Sequence, residues 1–264
     1  MSVFANVDEV KEGFEKCHKI INRLLSDAEL LLKNGRFSSA VSLAILASEE
    51  VGKSEFLRKK ALDAEGLTKK EWKEISFGGK SHLAKLRAIA DTKIELNKEY
   101  SAKGKATQLP KTLSKLGIQS NPDVVEEIQY TKYLFEKIFP AFNLVKQDCF
   151  YLNWDERTKR WVYFENRFDD KTKKEFANFL IKETRNNVFV QKLMFRLPDK
   201  PFKEFTTEDW QKFYGSKEFP QMQELRRELA STEHNITKKI VFSAIEKHYP
   251  VNDFKYEHDS KKSS

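Results

Sequence analysis

Cysteine is scarce in this chain: Cys17 and Cys149 are the only two in 264 residues. Two cysteines make neither a disulfide framework nor a zinc site. They suit a reducing compartment, where a thiol serves as a small apolar side chain. Gly (9) and Pro (7) are also few, which disfavours a turn-rich β fold and favours long helices. No run approaches the roughly 18 apolar residues of a membrane span. The opening Met1-Ser2-Val3-Phe4 turns charged by Asp8 and lacks the apolar core of a secretion signal. A cytoplasmic protein without a membrane contact is therefore expected. No Gly-rich phosphate loop is present, so ATP or GTP use is not expected. The histidines His18, His82, His234, His248 and His258 are scattered without zinc-ligand spacing. Neither a metal nor a cofactor is expected.

What the chain has is charge and phenylalanine. Charged residues make up 33%, the net charge is +8, and 21 Phe supply bulky core material. A basic balance favours polyanions as partners, but weakly. Lys outnumbers Arg by 37 to 11, and a solvated Lys-rich surface explains much of that without a ligand.

Helical periodicity dominates. Val7 to Asn34 carries apolar residues at Ile21, Leu24, Leu25, Ala28, Leu31 and Leu32. Asp8 sits in its first turn, and Gly35 is placed to end it in a left-handed conformation. Phe37 to Leu62 follows after a short turn, so the two should form an antiparallel hairpin. The first half of this second helix is apolar on nearly every side, which places it inside a bundle. Ser39, Ala40, Ala44, Ala47 and Ser48 would let neighbours approach closely.

A short helix around Trp72 is expected, then a longer one from His82 to Glu99. Lys98 to Ser120 reads as a mobile basic loop, with Lys103, Lys105 and Lys111 as candidate nucleic-acid contacts beside Lys85. Asn121-Pro122-Asp123 starts a helix to Lys146 that Pro140 should kink. Phe150 to Trp154 and Trp161 to Phe164 flank a charged turn and read as a hairpin. Its Tyr151, Trp154, Trp161 and Tyr163 are expected to form a small satellite core more readily than a base-stacking platform. Asp170 to Arg196, a short stretch at Thr207, and Pro220 to His248 read as further helices. The tail after Pro250 reads as disordered.

Chemistry concentrates where the buried helix becomes charged, at Glu49-Glu50-Val51-Gly52-Lys53. Glu49 and Lys53, four apart, share a face and would ordinarily be a weak surface pair. Here the preceding turns are buried, and Gly52, which weakens a helix interior by about 1 kcal/mol against Ala, suggests close packing. His82 could return to this cluster, where a carboxylate would raise its pKa and set up acid–base chemistry.

Gly35-Arg36-Phe37, then Ser42 to Lys53, then His82 with Lys85, resemble the AbiV family of HEPN proteins. Lys146-Gln147-Asp148-Cys149-Phe150-Tyr151 resembles the family's basic-then-Tyr element, and the likeness covers about residues 8 to 165. It implies an all-α fold: a HEPN-like helical bundle, here with a small β-hairpin and a helical C-terminal extension. The corresponding division is 1–165 for the HEPN domain, 166–250 for the extension and 251–264 for the tail.

The resemblance also implies abortive infection: a homodimer, with a phage-encoded protein as trigger, acting on RNA or translation. Many HEPN proteins are metal-independent RNases that use an Arg and a His with four to six residues between them. Arg227 and His234, with six residues between them, fit that spacing and would share one face of the Pro220–His248 helix, free to meet a partner. The site expectation is therefore Glu49, Glu50, Lys53 and His82, with Arg227 and His234 as a second catalytic pair. The alternatives are a non-catalytic module that sequesters a phage or host protein or RNA, and an antitoxin-like bundle neutralised by another chain.

Overall fold

The computed structural model describes residues 3–76, 81–91, 131, 133–155, 159–196, 206–216, 218–229 and 231–249. Helix α1 (Val7–Lys33) begins with a capping box. Asn6 Oδ1 accepts from the Asp8 and Glu9 amides at 3.0 Å, and the Glu9 carboxylate accepts from the Asn6 amide at 2.8 Å. It ends at Gly35, whose φ of 72° lets the chain reverse while Arg36 N–H returns to Leu31 O at 2.9 Å. Helix α2 (Phe37–Leu62) then runs back along α1, giving the expected hairpin.

After α2, the strand β2 (Leu67–Thr68) pairs antiparallel with β1 (Val3–Ala5) and closes the hairpin's open end. Helix α3 (Lys69–Ser76) carries Trp72, as expected, and the Trp72 ring stacks on Phe4. Residues 81–91, here α4, are helical. The rest of the expected third helix and the whole basic loop, with Lys103, Lys105 and Lys111, lie outside the described residues, as does the expected helix start at Asn121.

Pro140 lacks an N–H and crowds the carbonyl four residues back. The chain answers with a wider π-helical turn, Leu134–Ile138, before helix α5 (Phe139–Phe150). The hairpin follows as β3 (Asn153–Asp155) and β4 (Arg160–Val162), antiparallel, with Trp154 opposite Trp161. Tyr151 and Trp161 are 65% and 60% exposed, and Phe150 and Leu152 beside them are open as well.

Helix α6 (Phe164–Arg167) leads into α7 (Asp170–Arg196), whose bounds agree with the sequence reading. Helices α8 (Thr207–Tyr214), α9 (Glu218–Leu229) and α10 (Thr232–His248) complete the chain. Here the structure corrects one expectation: Pro220 to His248 is two helices. Ser231 caps the second, its hydroxyl accepting from the His234 amide at 3.1 Å. A capping serine satisfies amides that a continuous helix would have bonded internally, so it competes with helix propagation.

Helix α2 sits at the centre, packed against α1, α5 and α7. Ala40, Val41, Ala44, Ile45, Ala47 and Val51 are buried completely. Its small polar residues pin α7. Ser48 Oγ lies 2.6 Å from Thr184 Oγ1, Ser54 donates to Gln191 Oε1 at 2.5 Å, and Gln191 donates back to Val51 O at 2.9 Å. Helix α7 therefore shares one core with the first two helices. His18 on α1 is buried against the Phe14 ring, and that burial, with Lys192 nearby, holds its pKa down at about 4. Among the described residues no helix is long and apolar enough to cross a membrane.

Among the described glycines the closest approach is at Gly52. A Cβ there would stand 2.0 Å from the Lys85 carbonyl oxygen and 2.3 Å from its carbon. Backbone cannot move aside as a side-chain end can, so only glycine fits. Gly13 on α1 is the useful contrast: its Cβ would meet only the flexible Leu57 Cδ1, at 3.3 Å. The expected outcome is opposite effects from one substitution. Gly52→Ala should lose about 2–3 kcal/mol or more by overpacking. Gly13→Ala should be neutral or gain up to about 1 kcal/mol from helix propensity. Urea unfolding of both variants checks this, and equal effects would contradict the packing.

Candidate functional site

The close approach of α4 to α2 at Gly52 gathers an ionic centre. From α2 come Glu49, Glu50 and Lys53, from α4 His82 and Lys85, and from α5 Lys146. Glu49 is 5% exposed and Lys85 8%. The expected Glu49–Lys53 pair is not made. Lys53 Nζ instead donates to both oxygens of Glu50, three residues back, at 2.7 and 2.8 Å. Glu49 pairs with Lys146, whose Nζ lies 2.6 Å from Oε1. Both pairs are mostly buried, so they are screened less than surface pairs.

His82 does reach this centre, within electrostatic range of Glu49, Lys146 and Lys85. The expected direction of its pKa is reversed. Burial outweighs the Glu49 carboxylate, and Lys146 and Lys85 add to the burial, so the pKa falls below the usual value. At neutral pH His82 is therefore a neutral imidazole. Lys85 is also lowered, first by burial and then by Lys53, against the pull of Glu49 and Glu50. From α1, Cys17 faces the same groups, and burial followed by the Glu50 charge pushes its thiol up to about 11. That cysteine stays protonated and is no nucleophile.

The two members of the second catalytic pair do not share one helix. Arg227 lies on α9 and is exposed. His234 lies on α10 and is 6% exposed, stacked on the Phe179 ring, with Nε2 3.5 Å from Glu183 Oε1. The seven-residue offset means a shared face only on an unbroken helix, and Ser231 breaks it. Burial of His234 also removes the free partner-facing surface expected of it.

Three polar groups escaped the sequence reading. Lys146 lay within a segment quoted for family likeness, yet nothing local marked its partner 97 residues away. Arg58 binds Glu55 through two nitrogens, at 2.9 and 2.6 Å, both residues almost wholly buried on α2. The two extend the charged end of that helix by one turn, which was the available signal. Asp148 on α5 is the third. It accepts from Asn153 Nδ2 and Arg167 Nε, each at 2.6 Å, and from the Tyr249 hydroxyl at 2.7 Å. Arg167 also stacks 4.8 Å over the Tyr249 ring. This carboxylate thus ties the hairpin, α6 and the end of α10 to the bundle. Among the described residues no group of three or more His, Cys, Asp or Glu is placed to hold a metal ion.

Removing a buried carboxylate strands its partners. Asp148→Ala should therefore cost about 3–5 kcal/mol, as for other broken buried pairs. The exposed Arg227→Ala should stay within about 0.5 kcal/mol. Thermal or urea unfolding distinguishes them, and a small Asp148 effect would refute the tie.

No curated protein and no solved structure matches the chain. The family model described as AbiV, of HEPN type, matches residues 9–188, more than half of the chain. That span runs past the hairpin into α7, the helix that shares the core of α1 and α2. With its all-α bundle and the Glu-Glu-Val-Gly-Lys end of its central helix, the chain belongs to the AbiV family of HEPN proteins.

Proposed function

We propose that this chain is a phage-defence effector, acting in abortive infection on RNA or translation through the ionic centre at the end of α2. The observation that carries the reading is that centre. Three helices bring Glu49, Glu50, Lys53, His82, Lys85 and Lys146 together, mostly out of water. Ionised groups are costly to bury, and such sites often mark function. A homodimer and a phage-encoded protein trigger are part of the proposal, on family grounds.

Metal-independent RNA cleavage is one activity this effector could have. A second reading, a non-catalytic module that sequesters a phage or host protein or RNA, is favoured by one observation. His234, the histidine of the HEPN-like spacing, is buried and on a different helix from Arg227.

The test is plaque formation on cells expressing the chain, its variants matched for folded protein. Glu49→Gln with Lys53→Met should abolish protection, and Arg227→Ala should leave it intact. Protection surviving the double change would make the centre purely structural. RNA fragmentation after infection would identify cleavage. Intact RNA with arrested protein synthesis would identify sequestration. The active species should have twice the chain mass of 31.0 kDa.

A further inference from the structure

The ionic centre holds three ammonium groups and two carboxylates, and both carboxylates are taken. Each lysine carries three N–H donors. Lys53 spends two on Glu50 and Lys146 spends one on Glu49. Among the described residues Lys85 makes no hydrogen bond and no ion pair, although the residue as a whole is only 8% exposed. The centre therefore has one unused donor on Lys53, two on Lys146 and three on Lys85. An unpartnered ammonium on a largely buried residue is costly, and the Lys53 and Lys146 charges nearby raise that cost.

We infer that Lys85, Lys53 and Lys146 form a binding site for a phosphate group, with Lys85 at its floor and the other two at its rim. The rim lysines are 17% and 16% exposed, so a ligand can reach them from solvent. A tetrahedral oxyanion offers acceptors in several directions and a charge that balances the surplus cation. Lysine binds phosphate as a point charge, without needing the planar fork of arginine. The neutral imidazole of His82 adds a ring N–H beside them. Burial first, and then the Lys53 charge, hold the Lys85 pKa below the usual lysine value.

This inference deepens the proposed function by naming the ligand chemistry of the same centre: the phosphate of an RNA backbone or of a 5′ end. It is read on purified protein. A chain that binds phosphate but gives no protection would sink the defence reading and spare the site, and the reverse result would do the opposite.

The experiment titrates full-length protein with inorganic phosphate at ionic strength held constant with potassium chloride, following melting temperature and heat of binding. Wild type should be stabilised by phosphate and not by chloride. Lys85→Met, which keeps the side chain's bulk and drops its charge, should bind at least tenfold more weakly. Lys146→Gln at the rim should show the same loss and serves if Lys85→Met fails to fold. Short RNAs then separate the sources. Tighter binding of a 5′-phosphorylated oligomer than of its 5′-hydroxyl twin, erased by the variant, assigns the terminal phosphate. Equal binding of both, weakened tenfold by the variant, assigns the backbone diester. No phosphate-specific stabilisation, or affinities unchanged in both variants, overturns the site.

Discussion

The backbone contact between Gly52 and Lys85 constrains more of this molecule than any other single feature. It lets α4 lie against α2 with no side chain between them at that point. Helix α2 already has α1, α5 and α7 around it, and no exposed polar side to give up. A fourth helix fits only because one residue contributes no Cβ. The consequence is electrostatic as well as steric. Bringing the Lys85 backbone onto α2 buries most of that residue and brings its charge into the company of Glu49, Glu50, Lys53 and Lys146.

The ionic groups are better understood as devices of arrangement than as sources of stability. Buried pairs lose much of their attraction to desolvation, and apolar replacements of similar shape are often as stable. What they provide is geometry. The two-nitrogen bond of Arg58 to Glu55 stiffens the last turns of α2. Glu49 with Lys146 ties α2 to α5, and Asp148 ties α5 to three later segments. Each is satisfied inside the chain. Lys85 is the exception, and its unsatisfied charge separates a centre that could take a ligand from one that merely holds helices together.

Much of the fold was legible because its signals are local. Gly35 marks the first hairpin turn, unbroken apolar character marks α2 as central, and two aromatic runs around a charged turn mark the hairpin. Gly52 was legible as a sign of close packing, though not its partner. The break at Ser231 was missed because apolar periodicity runs through it, and a serine cap looks like any surface serine until the chain turns. The site was half legible. Charges on a buried helix announce themselves, but the partner of Glu49 lies far along the chain, and Lys53 prefers the neighbour three residues back. The pKa of His82 depends on burial that no spacing encodes, so its direction came out reversed.

The most direct measurement is the titration of Lys85 itself, by nuclear magnetic resonance of the labelled lysine side chains in the intact protein. Facing it are Glu49, Glu50 and Lys53 from α2, His82 from its own helix, Lys146 from α5 and Cys17 from α1. If the Gly52 contact buries the ammonium among surplus cations, Lys85 loses its proton at a pH clearly below that of the surface lysines. A Lys85 that titrates with them, or above them, would be solvated or fully paired, and the centre described here would not exist.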